Sequence, residues 1–301
     1  MIGQHAVREF YAESGFMTST GNHAALIELL PDDVGQLVRI IHGLAIYDVV
    51  ASDFYGVQLR DDRQADIHTR PFAAMLDRLM AIEGHPLAQP RPPDKRLACR
   101  CRNFTLFLVA PLRAKGVPAR ARCGFAAYFN PGHYEDHWVC EYWNASEERW
   151  QLVDPQLDEV WRTRLGIDFD VLDVPRDQFL VAADAWRRCR TAGAGAQQFG
   201  ISFAQLYGLW FIAGSLVRDL AALNKMEMHP WDTWGAQPSP DERLDAKQLA
   251  FFDQLARMTH DPDPSFDELR RTYADHGGLR VPEVVHNSLL GRSEPVQSPD
   301  S

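Results

Sequence analysis

The chain has 301 residues, of which 46% are hydrophobic and 24% are charged, a composition typical of a globular protein with one large or two small domains. The formal net charge of −10 and the pI of about 5.5 argue against a general role in binding nucleic acid or an anionic membrane surface. The first ten residues lack the pattern of an export signal, and the five cysteines are an odd number, so we expect a protein of the reducing cytoplasm without a disulfide framework.

The first 90 residues are predicted to be mostly helical. Apolar residues recur at steps of three and four over residues 22–30, 32–47 and 68–82. His42 and Tyr55 lie at predicted helix ends or turns, and both are candidates for contact with a substrate. A packing or capping role would explain both without any function, and we favour that interpretation.

Cys101 lies at the start of the next predicted helix. The apolar run from Asn103 to Leu112 predicts a buried helix that Gly116 helps to end, and Pro111 is expected to kink or shorten it. At the start of a helix, unpaired N–H groups and the positive end of the helix dipole favour a thiolate. The neighbouring Arg102 adds positive charge beside the thiol.

Two β-prone segments follow, joined by a polar link that predicts a hairpin. The segments are residues 137–143 and 150–154. If Trp143 opposes Trp150, then His137 lies opposite Gln156 and diagonal to Asp154, and these side chains leave the same face of the sheet. A thiol, an imidazole and a carboxylate therefore follow one another in the order expected of a cysteine nucleophile, its base and the acid that orients the base.

Five short motifs between residues 101 and 155 give the chain a family resemblance. They are Cys101-Arg-Asn-Phe, Leu112-Arg-Ala-Lys-Gly-Val-Pro-Ala-Arg120, Gly124-Phe125, His137-Trp-Val-Cys-Glu-Tyr and Trp150-Gln-Leu-Val-Asp-Pro155. In these residues the chain resembles the transglutaminase-like superfamily of papain-type cysteine enzymes, and as a whole it looks like bacterial transglutaminase-domain proteins. The resemblance implies that Cys101 is the nucleophile, His137 the base and Asp154 the orienting acid. Many relatives have a glycine where this chain has Cys99, but the twelve-residue spacing from Cys101 to Arg113 favours Cys101.

The resemblance implies a cysteine-dependent acyl-transfer enzyme that works through a thioester and needs no cofactor. We expect it to hydrolyse an amide or peptide bond of a small-molecule or peptide substrate. Transfer of the acyl group to an amine acceptor, and a non-catalytic binding module that retains the fold, are the alternatives. Further candidates for substrate contact are Arg102, Asp136, Trp138, Gln156 and Trp231.

A metal site is the competing interpretation of the same stretch. Cys99 and Cys101, together with His133 and His137, offer zinc-ligand chemistry. Their spacing matches none of the usual zinc patterns, because paired cysteine ligands are normally separated by two residues or more. We therefore predict no metal.

The C-terminal third is predicted to be helical, with loops between the helices. Residues 184–190 predict a helix with three arginines that could bind an anion or simply face solvent, and residues 191–196 predict a loop. The uncharged run 201–217 predicts a buried core helix rather than a membrane span. The aromatic segment 226–234, which contains Trp231, could wall a pocket or pack between domains. Further helices are predicted at 240–259 and 265–276.

These patterns together predict an α+β fold with a transglutaminase-like core, in which the nucleophile helix packs on an antiparallel sheet. Helical segments are predicted to precede and follow this core. The predicted division is 1–90, N-terminal helical segment; 91–182, catalytic core; 183–290, C-terminal helical segment; and 291–301, disordered tail.

Overall fold

The computed structural model describes residues 2–191 and 195–296 and has a mixed α+β fold, so the fold class predicted from the sequence is confirmed. The helices are α1 Ile2–Ala12, α2 Ala24–Glu28, α3 Val34–Leu44, α4 Ala51–Tyr55, α5 Asp61–Gln64, α6 Phe72–Ile82, α7 Cys101–Ala114, α8 Glu159–Leu165, α9 Ala182–Thr191, α10 Leu209–Leu223, α11 Ala246–His260 and α12 Phe266–Asp275. The strands are β1 Ala45–Tyr47, β2 Leu97–Cys99, β3 Ala119–Ala126, β4 Tyr134–Asn144, β5 Arg149–Val153, β6 Phe179–Val181, β7 Phe199–Ile201, β8 Leu206–Tyr207, β9 Asp232–Thr233, β10 Val284–Asn287 and β11 Arg292–Pro295. Within the described ranges, no helix is both long enough and apolar enough to cross a membrane.

The chain forms two compact units, and neither is a single continuous stretch. Unit N comprises His5–Ala121 and Trp138–Pro175. Unit C comprises Met1–Gln4, Arg122–His137 and Arg176–Ser301. The sequence pattern predicted a division into four consecutive segments. That division stays a prediction about which part of the chain carries the catalytic core.

Helix α7 is the centre of unit N. All residues of α7 from Cys101 to Arg113 are buried, and the helix packs against α3 and α6. Strand β2, which leads into α7, pairs in parallel with β1, so that Tyr47 lies beside Cys99. Residues 45–47 were predicted as the end of a helix and form β1 instead, because this short segment finds a strand partner 52 residues later in the chain. The helix continues past Pro111 to Ala114, since the missing N–H of a proline near a helix end removes only one interior hydrogen bond.

Strands β4 and β5 form the predicted hairpin of unit N. Trp143 pairs with Trp150, as the sequence predicted, and their rings lie edge to face with centroids 5.8 Å apart. The paired residues run from Asn144–Arg149 to Cys140–Val153. The tip between the strands is closed by Asn144, whose side-chain oxygen accepts a hydrogen bond from the backbone N–H of Ser146. The register that the argument from the sequence depended on is confirmed over these five pairs.

Unit C is built around helix α10, which contacts α9, α11 and β7. The N-terminal half of the apolar run predicted as one core helix forms β7 and β8 instead, and α10 begins only at Leu209. Gly200 of β7 pairs with Tyr207 of β8; its φ is +155°, and an added Cβ would lie 2.0 Å from the carbonyl oxygen of Leu206. Only glycine fits at this close approach of the two strands, and an apolar periodicity cannot show it.

Two further predictions in unit C need correction. Helix α11 begins at Ala246 rather than near residue 240, because Asp245 caps it by accepting a hydrogen bond from the N–H of Gln248. The predicted disordered tail begins too early, since Arg292–Pro295 forms β11 and pairs with β10. The rest of that tail, residues 297–301, and half of the predicted loop, residues 192–194, lie outside the described residues.

Candidate active site

The three residues predicted to form a catalytic triad are divided between the two units. Cys101 and Asp154 belong to unit N, and His137 belongs to unit C. Each has a defined setting within its own unit, and their meeting in one site stays a prediction.

Cys101 is the first residue of helix α7, as the sequence predicted. The preceding residue, Arg100, is the N-cap, and its backbone N–H donates to the side-chain oxygen of Asn103 at 3.1 Å. Cys101 itself is 5% exposed, and its carbonyl accepts a hydrogen bond from the Thr105 hydroxyl at 3.1 Å. The first N–H groups of a helix have no intrahelical carbonyl to bind, so this end carries positive potential that favours a thiolate.

The two arginines beside Cys101 have separate partners. Arg100 binds the carboxylate of Asp48, with an Nη2–Oδ2 distance of 2.9 Å, and lies over the ring of Tyr47. Arg102 is completely buried, and its Nη1 donates to the carbonyl of Arg70 at 2.6 Å. Arg102 was a candidate for substrate contact, but in the structure it ties α7 to the preceding segment within the core of unit N.

The other four cysteines are less suited to act as nucleophiles. Complete burial raises the pKa of the Cys99 and Cys123 thiols well above the ordinary value, and burial also raises the pKa of Cys140. Partial burial raises the pKa of Cys189 to about 11. A thiol with a raised pKa is mostly protonated and unreactive at neutral pH. The complete burial of Cys99 therefore argues against this residue as a nucleophile.

His137 lies in β4, and three aromatic rings of unit C lie close to its imidazole ring. It is 1% exposed, and its ring centroid is 4.8 Å from that of Phe129, 6.0 Å from that of Tyr128 and 6.3 Å from that of Phe179. Tyr128 and Phe129 come from the loop between β3 and β4 and remain partly exposed. These two aromatic residues were not identified from the sequence, although they lie three and four positions after Phe125 of the Gly124–Phe125 motif.

A polar network holds the loop that carries those aromatic residues. The Asn130 amide donates to the carboxylate of Glu135 at 3.3 Å and to the hydroxyl of Ser202 at 3.2 Å. The backbone N–H of Ser202 donates to the other oxygen of Glu135 at 3.0 Å. These bonds join the loop to β4, the strand that also carries His137, and to Ser202 just after β7.

Asp136, a candidate for substrate contact, has a strongly shifted ionisation. Burial raises the pKa of its carboxyl to about 6, although the charges of Arg218 and His137 act to lower it. The residue as a whole keeps some exposure, but its Oδ1 atom is completely buried and makes no hydrogen bond to a protein group. The carboxyl therefore lies in an environment that disfavours its charged form.

Asp154 is completely buried and directly follows β5. Its backbone N–H donates to the carbonyl of Val171 at 2.9 Å, so the chain leaves the ladder after the Cys140–Val153 pair. Its Oδ1 accepts a hydrogen bond from the N–H of Gln156 at 3.0 Å, which closes a tight turn. The predicted pairing of His137 with Gln156 is therefore not part of the ladder.

His42 and Tyr55, both candidates for substrate contact, lie near the segment that follows Asp154. The hydroxyl of Tyr55 donates to the carboxylate of Asp158 at 2.7 Å. Burial lowers the pKa of His42 despite the opposing effect of the Asp158 and Asp154 charges. Asp158 was not identified from the sequence, although Asp-Glu before an apolar run signals a helix start, and its Oδ1 caps α8.

The remaining candidates are buried or engaged in stacking. Trp138 is completely buried and Gln156 is 3% exposed, both in unit N. Trp231, in unit C, stacks on His229 with ring centroids 4.7 Å apart. Two of the three arginines predicted on α9 are engaged as well, since Arg188 donates to the Tyr134 hydroxyl and Arg190 donates to the carboxylate of Asp253.

Over the described part of the chain, no three histidine, cysteine, aspartate or glutamate residues come close enough together to hold a metal ion. Comparison with known proteins adds no family assignment. The chain matches no protein-family model, no curated protein and no solved structure. The roles proposed for the residues of the site therefore rest on the chemistry and the positions of those residues.

Proposed function

We propose that the protein is a cysteine-dependent acyl-transfer enzyme with a transglutaminase-like core, in which Cys101 is the nucleophile, His137 the base and Asp154 the orienting acid. The observation that carries the proposal is the position of Cys101 as the first residue of a buried, capped helix. The chain order of helix α7 and strands β3, β4 and β5, and the confirmed hairpin register, support the proposed core.

The proposed reaction is hydrolysis of an amide or peptide bond in two steps. The Cys101 thiolate attacks the carbonyl carbon, and backbone N–H groups at the start of α7 stabilise the negative oxygen. The bond from carbon to nitrogen breaks, and protonated His137 gives its proton to the leaving amine. Water, deprotonated by His137, then attacks the thioester, which releases the carboxylic acid and returns the thiolate. Asp154 keeps the imidazole in its working tautomer.

The test is alkylation of the native protein with iodoacetamide at mildly acidic pH, located by peptide mass spectrometry. An ordinary thiol is mostly protonated under these conditions and reacts slowly, whereas a thiolate paired with an imidazolium reacts quickly. We expect fast labelling confined to Cys101 and its loss in the His137→Ala variant. Slow labelling of Cys101 in the wild-type protein would contradict the proposal and leave a non-catalytic binding module, and fast labelling of Cys99 would identify a different nucleophile.

The product formed from the acyl group, a carboxylic acid or a new amide, distinguishes hydrolysis from transfer to an amine. A library of peptide amides and esters is incubated with the protein, with and without an excess of a primary amine, and product masses are recorded. Hydrolysis gives only the carboxylic acid at every amine concentration, and Cys101→Ala abolishes it. Formation of a new amide at high amine concentration would instead establish transfer from the same thioester.

A further inference from the structure

Tyr128 and Phe129, here called the aromatic pair, contact His137 and also remain accessible to solvent. The ring of Phe129 is 4.8 Å from that of His137 and the ring of Tyr128 is 6.0 Å from it, both edge to face, and the two aromatic rings lie 4.8 Å apart. His137 is 1% exposed, whereas both members of the pair are partly exposed. All three residues belong to unit C. The aromatic pair is therefore an apolar surface that contacts both the imidazole and solvent.

The loop that carries the aromatic pair is held on both sides of it. Before the pair, the backbone N–H of Ala127 donates to the carbonyl of Gln178 at 2.9 Å. After the pair, the carbonyl of Asn130 accepts from the N–H of His133 at 3.0 Å, and the Asn130 amide donates to the carboxylate of Glu135. A surface that is ordered before a ligand arrives loses less conformational entropy on binding. The aromatic pair is thus preorganised for contact with a ligand.

The role proposed for His137 decides which half of a substrate lies against this surface. Protonated His137 gives its proton to the leaving amine, so the nitrogen of that amine comes within hydrogen-bond distance of the imidazole, about 3 Å. A substituent on this nitrogen is then within reach of the rings that pack on the imidazole. The acyl half is covalently bound to Cys101 at this stage. The amine half is therefore the part of the substrate that the aromatic pair can bind.

We propose that Tyr128 and Phe129 form a subsite for the amine half of the substrate, and that this half carries an aromatic or other apolar group. The proposal rests on the proposed function and names the substrate class on one side of the bond that breaks. An apolar substituent removes the exposed parts of both rings from water, and an aromatic one adds ring-to-ring contacts. The same subsite receives a free amine that attacks the thioester, because the two steps are the reverse of each other.

The test measures how two amines attack an acetyl thioester on Cys101. p-Nitrophenyl acetate acetylates the thiol, with Cys101→Ala as the background, and intact-protein mass spectrometry follows the loss of the acetyl group. The amine forms the new bond from carbon to nitrogen, the bond from carbon to sulfur breaks, and His137 takes the proton of the amine. Benzylamine and 2-methoxyethylamine are the probes, since both are primary amines of similar basicity and only benzylamine has an apolar ring. We expect benzylamine to react about tenfold faster with the wild-type protein.

The readout for the variants is the ratio of the two rates, because a general disturbance of His137 would slow both amines alike. Phe129→Ala and Tyr128→Ala should each lower the ratio by about threefold or more. The matched control is Phe251→Ala, which should keep the wild-type ratio. Phe251 is also a partly exposed aromatic residue of unit C that contacts a histidine, with its ring 5.2 Å from that of His276. Thermal unfolding confirms that each variant is folded.

Two results would overturn the proposal. One is a ratio near one in the wild-type protein, and the other is a wild-type ratio in both Phe129→Ala and Tyr128→Ala. A protein in which p-nitrophenyl acetate leaves Cys101 unmodified would show instead that the proposed function has failed, which is a distinct result.

Discussion

Among single residues, Arg122 and Asp219 form a buried ion pair in unit C. The two side chains are 1% and 0% exposed, and they meet through two hydrogen bonds, Nε–Oδ1 at 3.1 Å and Nη2–Oδ2 at 2.9 Å. Asp219 Oδ1 also accepts from the N–H of Cys123, and Arg122 donates to the carbonyl of Thr259. The pair therefore ties β3 to α10 and to the end of α11.

Asp219→Ala should destabilise the protein strongly, because it leaves a guanidinium buried without its counter-charge. Loss of one partner of a buried pair costs about 3–5 kcal/mol in the free energy of unfolding. The matched control is Glu268→Ala, which breaks the partly exposed pair between Glu268 and Arg257 and should have little effect. Urea unfolding of the three proteins measures both values, and equal losses for the two variants would contradict this assignment.

The carboxyl of Asp136 should make stability depend on pH. Its pKa rises from the ordinary value of 3.8 to about 6 on folding, mainly through burial. The folded state thus holds the proton more tightly than the unfolded chain, so stability falls as the pH rises between these two values and is constant above them. The Asp136→Asn variant has no carboxyl to titrate and does not lose stability in this way. The stability of the variant relative to the wild type should therefore increase as the pH rises through the same range.

Urea unfolding at about pH 4.5 and about pH 7.5 measures the effect, because the two values bracket most of the change in protonation. The matched control is Asp275→Asn, which removes one acidic charge at an exposed position of unit C. A stability difference between Asp136→Asn and the wild type that is the same at both pH values would show that the carboxyl of Asp136 is not perturbed by folding.

At the scale of elements, the pairing of β3 with β6 depends on one glycine. Gly124 pairs with Val181, and a Cβ added to Gly124 would lie 2.1 Å from the carbonyl oxygen of Leu180 and 2.8 Å from the Cα of Val181. Both obstacles are backbone atoms, which cannot move aside as a flexible side chain can. The two strands can approach this closely only because residue 124 has no side chain.

Gly124→Ala should therefore cost about 1–3 kcal/mol in the free energy of unfolding, the usual range for overpacking a well-packed site. Gly277→Ala is the matched control, since no atom lies within 4 Å of the added Cβ and its backbone conformation does not require glycine. We expect that variant to be as stable as the wild type or slightly more stable. Chemical denaturation followed by circular dichroism gives both values, and a Gly124→Ala variant as stable as Gly277→Ala would refute the argument.

Local patterns explain which elements could be predicted from the sequence. The start of α7 at Cys101 and the Trp143–Trp150 register follow from short-range periodicity and from a hairpin link. The strands β7 and β8 were missed because their close approach at Gly200 depends on backbone geometry that an apolar pattern does not contain. The hydrogen bond from Tyr55 to Asp158 was missed because it joins positions more than a hundred residues apart. The helix that begins at Cys101 could thus be predicted, but the contacts between distant segments could not.

At the scale of the whole molecule, unit N is assembled from two separated stretches of the chain. The N-terminal stretch supplies β1 as the partner of β2, and it supplies α3 and α6, against which α7 packs. It also supplies Tyr55, whose hydroxyl donates to Asp158 in the segment after Asp154. A region that the sequence pattern presents as a separate helical segment therefore packs against α7 and bonds the segment that follows β5.

We predict that residues 91–182, the catalytic core expected from the sequence, do not fold when expressed alone. Without the first 90 residues, β2 loses its partner strand β1 and the apolar face of α7 is exposed to water. The matched comparison is fragment 5–175, which keeps every stretch of unit N. Thermal unfolding followed by circular dichroism should show a cooperative transition for fragment 5–175 only. A cooperative transition for 91–182 would show that it is an independent domain.

The paired tryptophans of the β4–β5 hairpin have an optical consequence. Their rings are 5.8 Å apart and inclined by 75°, close enough for the electronic transitions of the two indoles to couple. Coupled chromophores held in a fixed chiral arrangement produce an exciton couplet in the far-ultraviolet spectrum. A one-residue slip would place the two rings on opposite faces and abolish the couplet. The native hairpin thus carries an intrinsic, label-free spectroscopic signature, by which its formation can be timed separately from that of the helices.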